Sequence, residues 1–224
     1  IGSYPYLNSY SGPTWYIETD GNDTTGTGAS DSPFASIQSA VNFATTDDDS
    51  ITVAAGTYVE NINFRGRNIK VVGEDRETTI IDGDSTGTVV SFKNGEPSSV
   101  LMSGFTIQNG ARTSDDWNHN LCGGGMFIVN SSPTLTDMTI SDNTVDYKGG
   151  GMHIMDSSNP TLTNVTISGN TASWEGGGMY LTGDSPTLTN VTFSGNSCTL
   201  GGGMFLDYSA SPTMTSVTFS GNTA

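Results

Sequence analysis

Fourteen residues separate Asn109 from Gly123, where equivalent stretches further along the chain take five or six, and the surplus carries the densest chemistry in the sequence. Residues 111–121 include Arg112, Asp115, Asp116, Trp117 and His119, and the equivalent turns that follow offer Asp146, Tyr147 and Lys148, then Trp174 and Glu175. Aromatic faces beside carboxylates suit a sugar ring, which has apolar C–H surface on one side and hydroxyls around its rim. Trp117, His119, Tyr147, Trp174 and Glu175 are therefore candidate ligand-binding residues, and a polysaccharide or cell-surface glycan is the candidate partner. The plainer alternative is a loop whose tryptophan folds back to shield its own turn. A second chemistry is open to the two cations. Cleaving a uronate polymer by elimination needs a cation to neutralise the carboxylate and a Lys or Arg base, roles that Arg112 and Lys148 would fill with Asp115 and Asp116 on Ca2+. His119 and His153 are too few and too scattered for zinc, which usually takes three protein ligands or more. Asp20, Asn22 and Asp23 offer oxygens to calcium, but they fall short of an EF-hand loop and an Asx-rich turn explains them as well. No cofactor is required, and Ca2+ is the one ion these carboxylates suit.

These residues need a scaffold, and the sequence supplies one by repetition. Met126, Met152, Met179 and Met204 recur 26, 27 and 25 residues apart; Pro133, Pro160, Pro186 and Pro212, like Asn143, Asn170, Asn196 and Asn222, recur at 27, 26 and 26. A fixed period with small slips marks a solenoid, whose units bury their apolar faces only against each other. Within a unit the apolar residues sit mostly two apart, as in Met179/Leu181 and Val191/Phe193, which is strand periodicity. The expected fold is all-β: a right-handed parallel β-helix with rungs about 4.8 Å apart. Its inward ladders read Met126/Met152/Met179/Met204, Leu135/Leu162/Leu188/Met214, Met138/Val165/Val191/Val217 and Ile140/Ile167/Phe193/Phe219. Glycine triplets before each Met suit a bend where backbones approach closely, and the Asn column would bond from rung to rung. Phe127, His153, Tyr180 and Phe205 form a column facing out, open to a glycan or a partner but better explained by stacking on itself. Thr134/Thr136, Thr161/Thr163, Thr187/Thr189 and Thr213/Thr215 make a hydroxyl lattice.

The 224 residues fit one elongated domain with three stretches: 1–49 carrying a strand, a loop and a capping helix; 50–110 with short irregular rungs; and 111–224 with regular rungs of about 26 residues. Ser32 as N-cap and Pro33 at N1 predict a helix with Phe34, Ile37, Val41 and Ala44 on one face, placed to cover the first rung. Five of the seven basic residues, Arg65, Arg67, Lys70, Arg76 and Lys93, are expected as solvated charges. A net charge of −16 argues against nucleic acid or an anionic membrane as partner. No apolar run is long enough for a membrane span. Cys122 and Cys198 lie three rungs apart, about 14 Å, beyond disulfide reach, and are expected as free thiols.

The runs Asp20-Gly-Asn-Asp, Ser32-Pro-Phe-Ala-Ser-Ile-Gln and Ala55-Gly-Thr-Tyr-Val-Glu-Asn-Ile resemble the N-terminal region of pectate-lyase-like right-handed β-helix proteins. Ser103-Gly-Phe-Thr-Ile-Gln-Asn-Gly, the Gly-Gly-Gly-Met units and the Ser-Gly-Asn-Thr-Ala endings are similar to polymorphic outer-membrane protein repeats. Together they cover nearly the whole chain and imply the fold rather than an activity, because that superfamily holds lyases, hydrolases, esterases, adhesins and stalks. The Ala55 stretch also resembles pectin methylesterases, yet neither their Gln-Asp-Thr-Leu nor their Asp-Phe-Ile-Phe-Gly segment occurs. The polygalacturonase set is missing too, apart from the pair Asp115-Asp116. The reading this favours is a secreted or cell-surface adhesin, stalk or glycan-binding module. The alternatives are a Ca-dependent polysaccharide lyase, and an ice-binding protein using the Thr-x-Thr lattice, which resembles the faces of some β-solenoid antifreeze proteins. The repeat stops after Phe219 with no capping element, so the sequence predicts either a longer protein or end-to-end self-association through the last rung.

Overall fold

The computed structural model describes residues 14–45, 47, 49–112 and 123–224. All the strand pairs are parallel, and each strand pairs with its equivalent in the next rung, so the chain coils as a β-helix. One long sheet stacks Thr14–Ile17, Ser50–Val53, Lys70–Gly73, Leu101–Ser103, Thr134–Ser141, Thr161–Ser168, Thr187–Thr189 and Thr213–Thr215 in sequence order. A second stacks Ile62–Asn63, Val90–Phe92, Met126–Val129, Met152–Met155, Met179–Thr182 and Met204–Asp207, and a short third stacks Ala111–Arg112, Thr144–Val145 and Thr171–Ala172. Register follows the repeat: Met126 pairs with Met152, Met152 with Met179, and Met179 with Met204. Leu135, Leu162, Leu188 and Met214 pair in the same way. Apart from the last rung, where Met204 is only partly buried and Met214 is 48 % exposed, their side chains, with Met138, Val165 and Val191, form one continuous core, each fully buried aliphatic contributing about 1.5–3 kcal/mol.

Leu135 and Met138 are three apart yet both point inward, which strict alternation forbids. Asp137 lies between them at φ 52°, and Gly104, Asn164, Asn190 and Ser216 hold the same left-handed position in their own rungs at 78°, 57°, 54° and 54°. One residue in that conformation bends the strand and restores the inward phase, and Asp and Asn tolerate it better than other side chains. Their exposed side chains then join into a ladder, Asn164 Nδ2 donating to Asp137 Oδ1 at 3.1 Å and Asn190 Nδ2 to Asn164 Oδ1 at 2.6 Å.

Two inner polar columns satisfy the turns. Asn143, Asn170 and Asn196 are fully buried, and each Nδ2 donates to the Oδ1 of the next Asn at 2.9–3.0 Å. The second column passes through Glu96, Ser131, Ser158 and Asp184, all at most 3 % exposed, with Ser131 Oγ on Glu96 Oε2, Ser131 N on Ser158 Oγ and Ser158 N on Asp184 Oδ1. The glycine triplets are a close-approach device. A Cβ on Gly150 or Gly151 would lie 2.4 or 2.6 Å from the carbonyl oxygen of Gly177 or Gly178 in the next rung.

Two sequence expectations need correction. The helix runs Ile37–Phe43 with Ser36, not Ser32, as its N-cap. Pro33 and Phe34 remain extended because Phe34 bridges to Ile17 beside the first strand, and its ring stacks on Trp15 and Phe43 at 6.0 and 5.0 Å. The helix still packs against the first strands, with Ile37, Ala40 and Val41 buried. The column Phe127, His153, Tyr180 faces away from the main core as expected, but it is buried, at 4 %, 2 % and 3 % exposure. Its rings do stack, His153 edge-on to both Phe127 and Tyr180 at 5.5 and 4.9 Å. Cys198 is a free thiol, whereas Cys122 lies outside the described residues. Among the described residues no helix is long and apolar enough to cross a membrane.

Candidate functional site

The turn that follows the Asn column collects the candidate residues rung by rung. Arg112 pairs with Val145, and the Asp146 N–H donates to the Arg112 carbonyl at 3.1 Å. One rung on, Trp174 N donates to Tyr147 O at 3.0 Å, and in the next Leu200 N donates to Trp174 O at 2.8 Å. The backbone ladder thus sets Trp174 next to Tyr147, while Leu200 bridges to Glu175, one position further along the next rung. The Tyr147 and Trp174 rings are 6.3 Å apart and tilted by 57°. Trp174 is 56 % exposed and Leu200 48 %, an apolar strip at the protein surface. Asp115, Asp116, Trp117 and His119 lie outside the described residues.

Beneath the strip runs a charged chain. Lys148 Nζ is 2.8 Å from Glu175 Oε2 and donates to the Tyr180 hydroxyl at 2.8 Å. Tyr180 in turn donates to Asp207 Oδ2 at 2.6 Å. The ammonium also sits 4.4 Å from the Tyr180 ring centre and 5.2 Å from that of Tyr147, within cation–π range. Burial alone would lower the Lys148 pKa, but the hydrogen bonds to Glu175 and Tyr180 outweigh it and hold the lysine above its ordinary range. Burial and the hydrogen bond to Asp207 likewise raise the Tyr180 phenol. Lys148 is therefore a fixed cation, ill-suited to accept a proton near neutrality.

Sequence reading found Tyr147, Lys148, Trp174 and Glu175 but not Leu200 or Asp207 as members of this edge. Leu200 was legible, since it precedes Gly201 as Lys148 precedes Gly149. Asp207 was not, because its link to Lys148 passes through a tyrosine assigned to stacking alone. The calcium candidates lie elsewhere and have other duties: Asn22 Oδ1 accepts from Thr24 N and Thr25 N at 2.8 Å, and Asp23 accepts from Ala35 N, Ser36 N and Ser36 Oγ at 2.9, 3.1 and 2.7 Å. Asn22 thus closes its own turn, and Asp23 ties the loop to the start of the helix. Among the described residues no group of three His, Cys, Asp or Glu is placed to hold a metal.

The family model described as the right handed beta helix region matches residues 61–224. The chain belongs to that family. Its coil is thus right-handed, as crossovers between parallel strands nearly always are. No curated protein matches the sequence. Among solved structures, this β-helix is similar to the pectin methylesterase PemA from Erwinia chrysanthemi, with TM-score 0.56 and 12 % identity over 81 % of this chain and 55 % of that one. A pectin methylesterase from carrot gives 0.51 and 14 % over 84 % and 54 %, and a rhamnogalacturonan lyase 0.48 and 14 % over 94 % and 62 %. At these identities the likeness is one of fold, and the chain spans about half the length of either esterase.

Proposed function

We propose that this right-handed β-helix is a secreted or cell-surface module that binds glycan along the strip Tyr147, Trp174 and Leu200 and does not turn it over. The observation that carries this reading is the Trp174 indole, more than half exposed and held beside a second aromatic ring on a rigid stack of rungs. Such a surface gives a sugar ring a flat apolar face, and the neighbouring carboxylates accept from its hydroxyls. The fold likeness to pectin methylesterases supports carbohydrate as the ligand class. Elimination chemistry is disfavoured because Lys148, one of the two candidates for the base, is committed to Glu175. Ice binding asks for a flat, bare hydroxyl lattice. The threonine columns are in register, but Arg76 Nη1 reaches the carbonyl of Asn164 at 3.1 Å, beside Thr163, and interrupts that face.

The test is a polysaccharide panel assayed with and without Ca2+ for both binding and the ultraviolet absorbance of unsaturated products. Binding without turnover is expected, and Trp174→Ala should weaken it about three- to tenfold, the usual worth of an aromatic contact. Turnover that Arg112→Ala removes would overturn the reading in favour of a lyase. Binding untouched by Trp174→Ala would move the site elsewhere.

A further inference from the structure

We infer that the polysaccharide taken by this strip is an uncharged hexose polymer rather than a polyuronate, an inference that rests on the glycan-binding reading above. The argument is one of charge. Two cations stand at this edge in the described residues, Arg112 and Lys148, against Asp146, Glu175 and Asp207. Lys148 is the cation directly under the strip, and its charge is already answered by Glu175 at 2.8 Å and, through Tyr180, by Asp207. A uronate carboxylate seated on the Trp174 face would have to share that ammonium or pull it from Glu175. The second course leaves Glu175, whose side chain is only 20 % exposed, without its counter-ion, the costly way to break a shielded pair. Each further uronate residue would also meet the field of a chain carrying net −16.

An uncharged ring meets none of these costs. Its C–H face covers the exposed indole, and its hydroxyls donate to the carboxylates at the rim, which are acceptors only and prefer such donors. The Lys148–Glu175–Tyr180–Asp207 chain then serves as a rigid underlay that fixes Tyr147 and the turn, not as an anion receptor.

The experiment titrates the chain with a soluble galactomannan, a soluble β-glucan and sodium polygalacturonate in chelator-treated buffer, following tryptophan fluorescence and calorimetry at low and at physiological salt. At least one neutral polymer should bind with little salt dependence, and polygalacturonate about tenfold more weakly. Glu175→Gln, which releases Lys148 from its counter-ion, should raise the ratio of polygalacturonate to neutral-polymer affinity about two- to fivefold, the scale of one partly exposed charge pair. Polygalacturonate binding as tightly as the neutral polymers, with that binding lost in Trp174→Ala, would sink the charge inference and keep the glycan reading. No Trp174-dependent binding by any of the three would overturn both.

Discussion

The Asn170 side chain makes four hydrogen bonds inside a turn closed to water. Its Oδ1 accepts from Asn143 N and Asn143 Nδ2 at 3.1 and 2.9 Å, and its Nδ2 donates to Ile140 O and Asn196 Oδ1 at 2.9 and 3.0 Å. Alanine there strands several buried groups at once, each costing about 1–3 kcal/mol. Asn170→Ala should therefore lose about 3 kcal/mol or more in urea unfolding, while Asn222→Ala, in the part-buried last rung, should lose less. Asp184 is a different case: it is 2 % exposed, and its Oδ2 has no hydrogen-bond partner. Burial, with some help from the charge of Asp156, raises its pKa against the hydrogen bonds from Ser158 and Ser157. A carboxyl whose folded pKa exceeds its unfolded one takes up protons on folding. Its contribution to stability is complete below the ordinary carboxylate pKa and is lost as pH rises through the raised folded value. Thermal melts should show Asp184→Asn more stable than the parent at neutral pH, with the gap closing in acid. A variant less stable at neutral pH would mean that the carboxylate is paired when charged.

At the scale of the strand, the bend at Asp137, Asn164, Asn190 and Ser216 lets an eight-residue strand such as Thr161–Ser168 feed two faces of the core without a loop. A β-branched residue pays heavily for that left-handed backbone, whereas glycine does not. Asn164→Val should cost about 1–2 kcal/mol, and Asn164→Gly, which forfeits only the exposed amide ladder, should lie within about 0.5 kcal/mol of the parent. Equal losses in chemical denaturation would show that the ladder, not the backbone, holds the bend. The first helix teaches the same lesson in reverse. Ser32-Pro33 is a sound local start signal, yet the pairing of Phe34 with Ile17 outbids it, and Ser36, with Asp23 bound to its hydroxyl, takes over the cap.

Across the whole molecule the two ends differ. The helix, with Ile37, Ala40 and Val41 buried, covers the first rungs, while Leu206, Met214 and Phe219 are 44 %, 48 % and 49 % exposed on the last. With Met204 they line an open hollow of about 470 Å3. A further rung laid there would bury these side chains and pair three strand edges. Phe219→Ala should therefore cost less in urea unfolding than Phe193→Ala, whose fully buried ring loses about 3–5 kcal/mol. Equal losses would show that the last rung is covered in solution.

The sequence alone determined the solenoid, its period, the inward ladders and the Asn column, because stacking makes every rung face the same physical demand and so writes each answer four times. It also located the edge at Tyr147, Lys148, Trp174 and Glu175, since a break in the period is visible against the repeat. Tertiary structure decided what a single rung cannot encode. The aromatic column of Phe127, His153 and Tyr180 is buried, Ser36 caps the helix because Phe34 belongs to a bridge, and Lys148 is neutralised by Glu175 from the next rung and, through Tyr180, by Asp207 from two rungs on. Each of those outcomes depends on which side chains meet across rungs, and a distance of about 4.8 Å between rungs sets a charge pair that residues 27 positions apart in sequence do not announce.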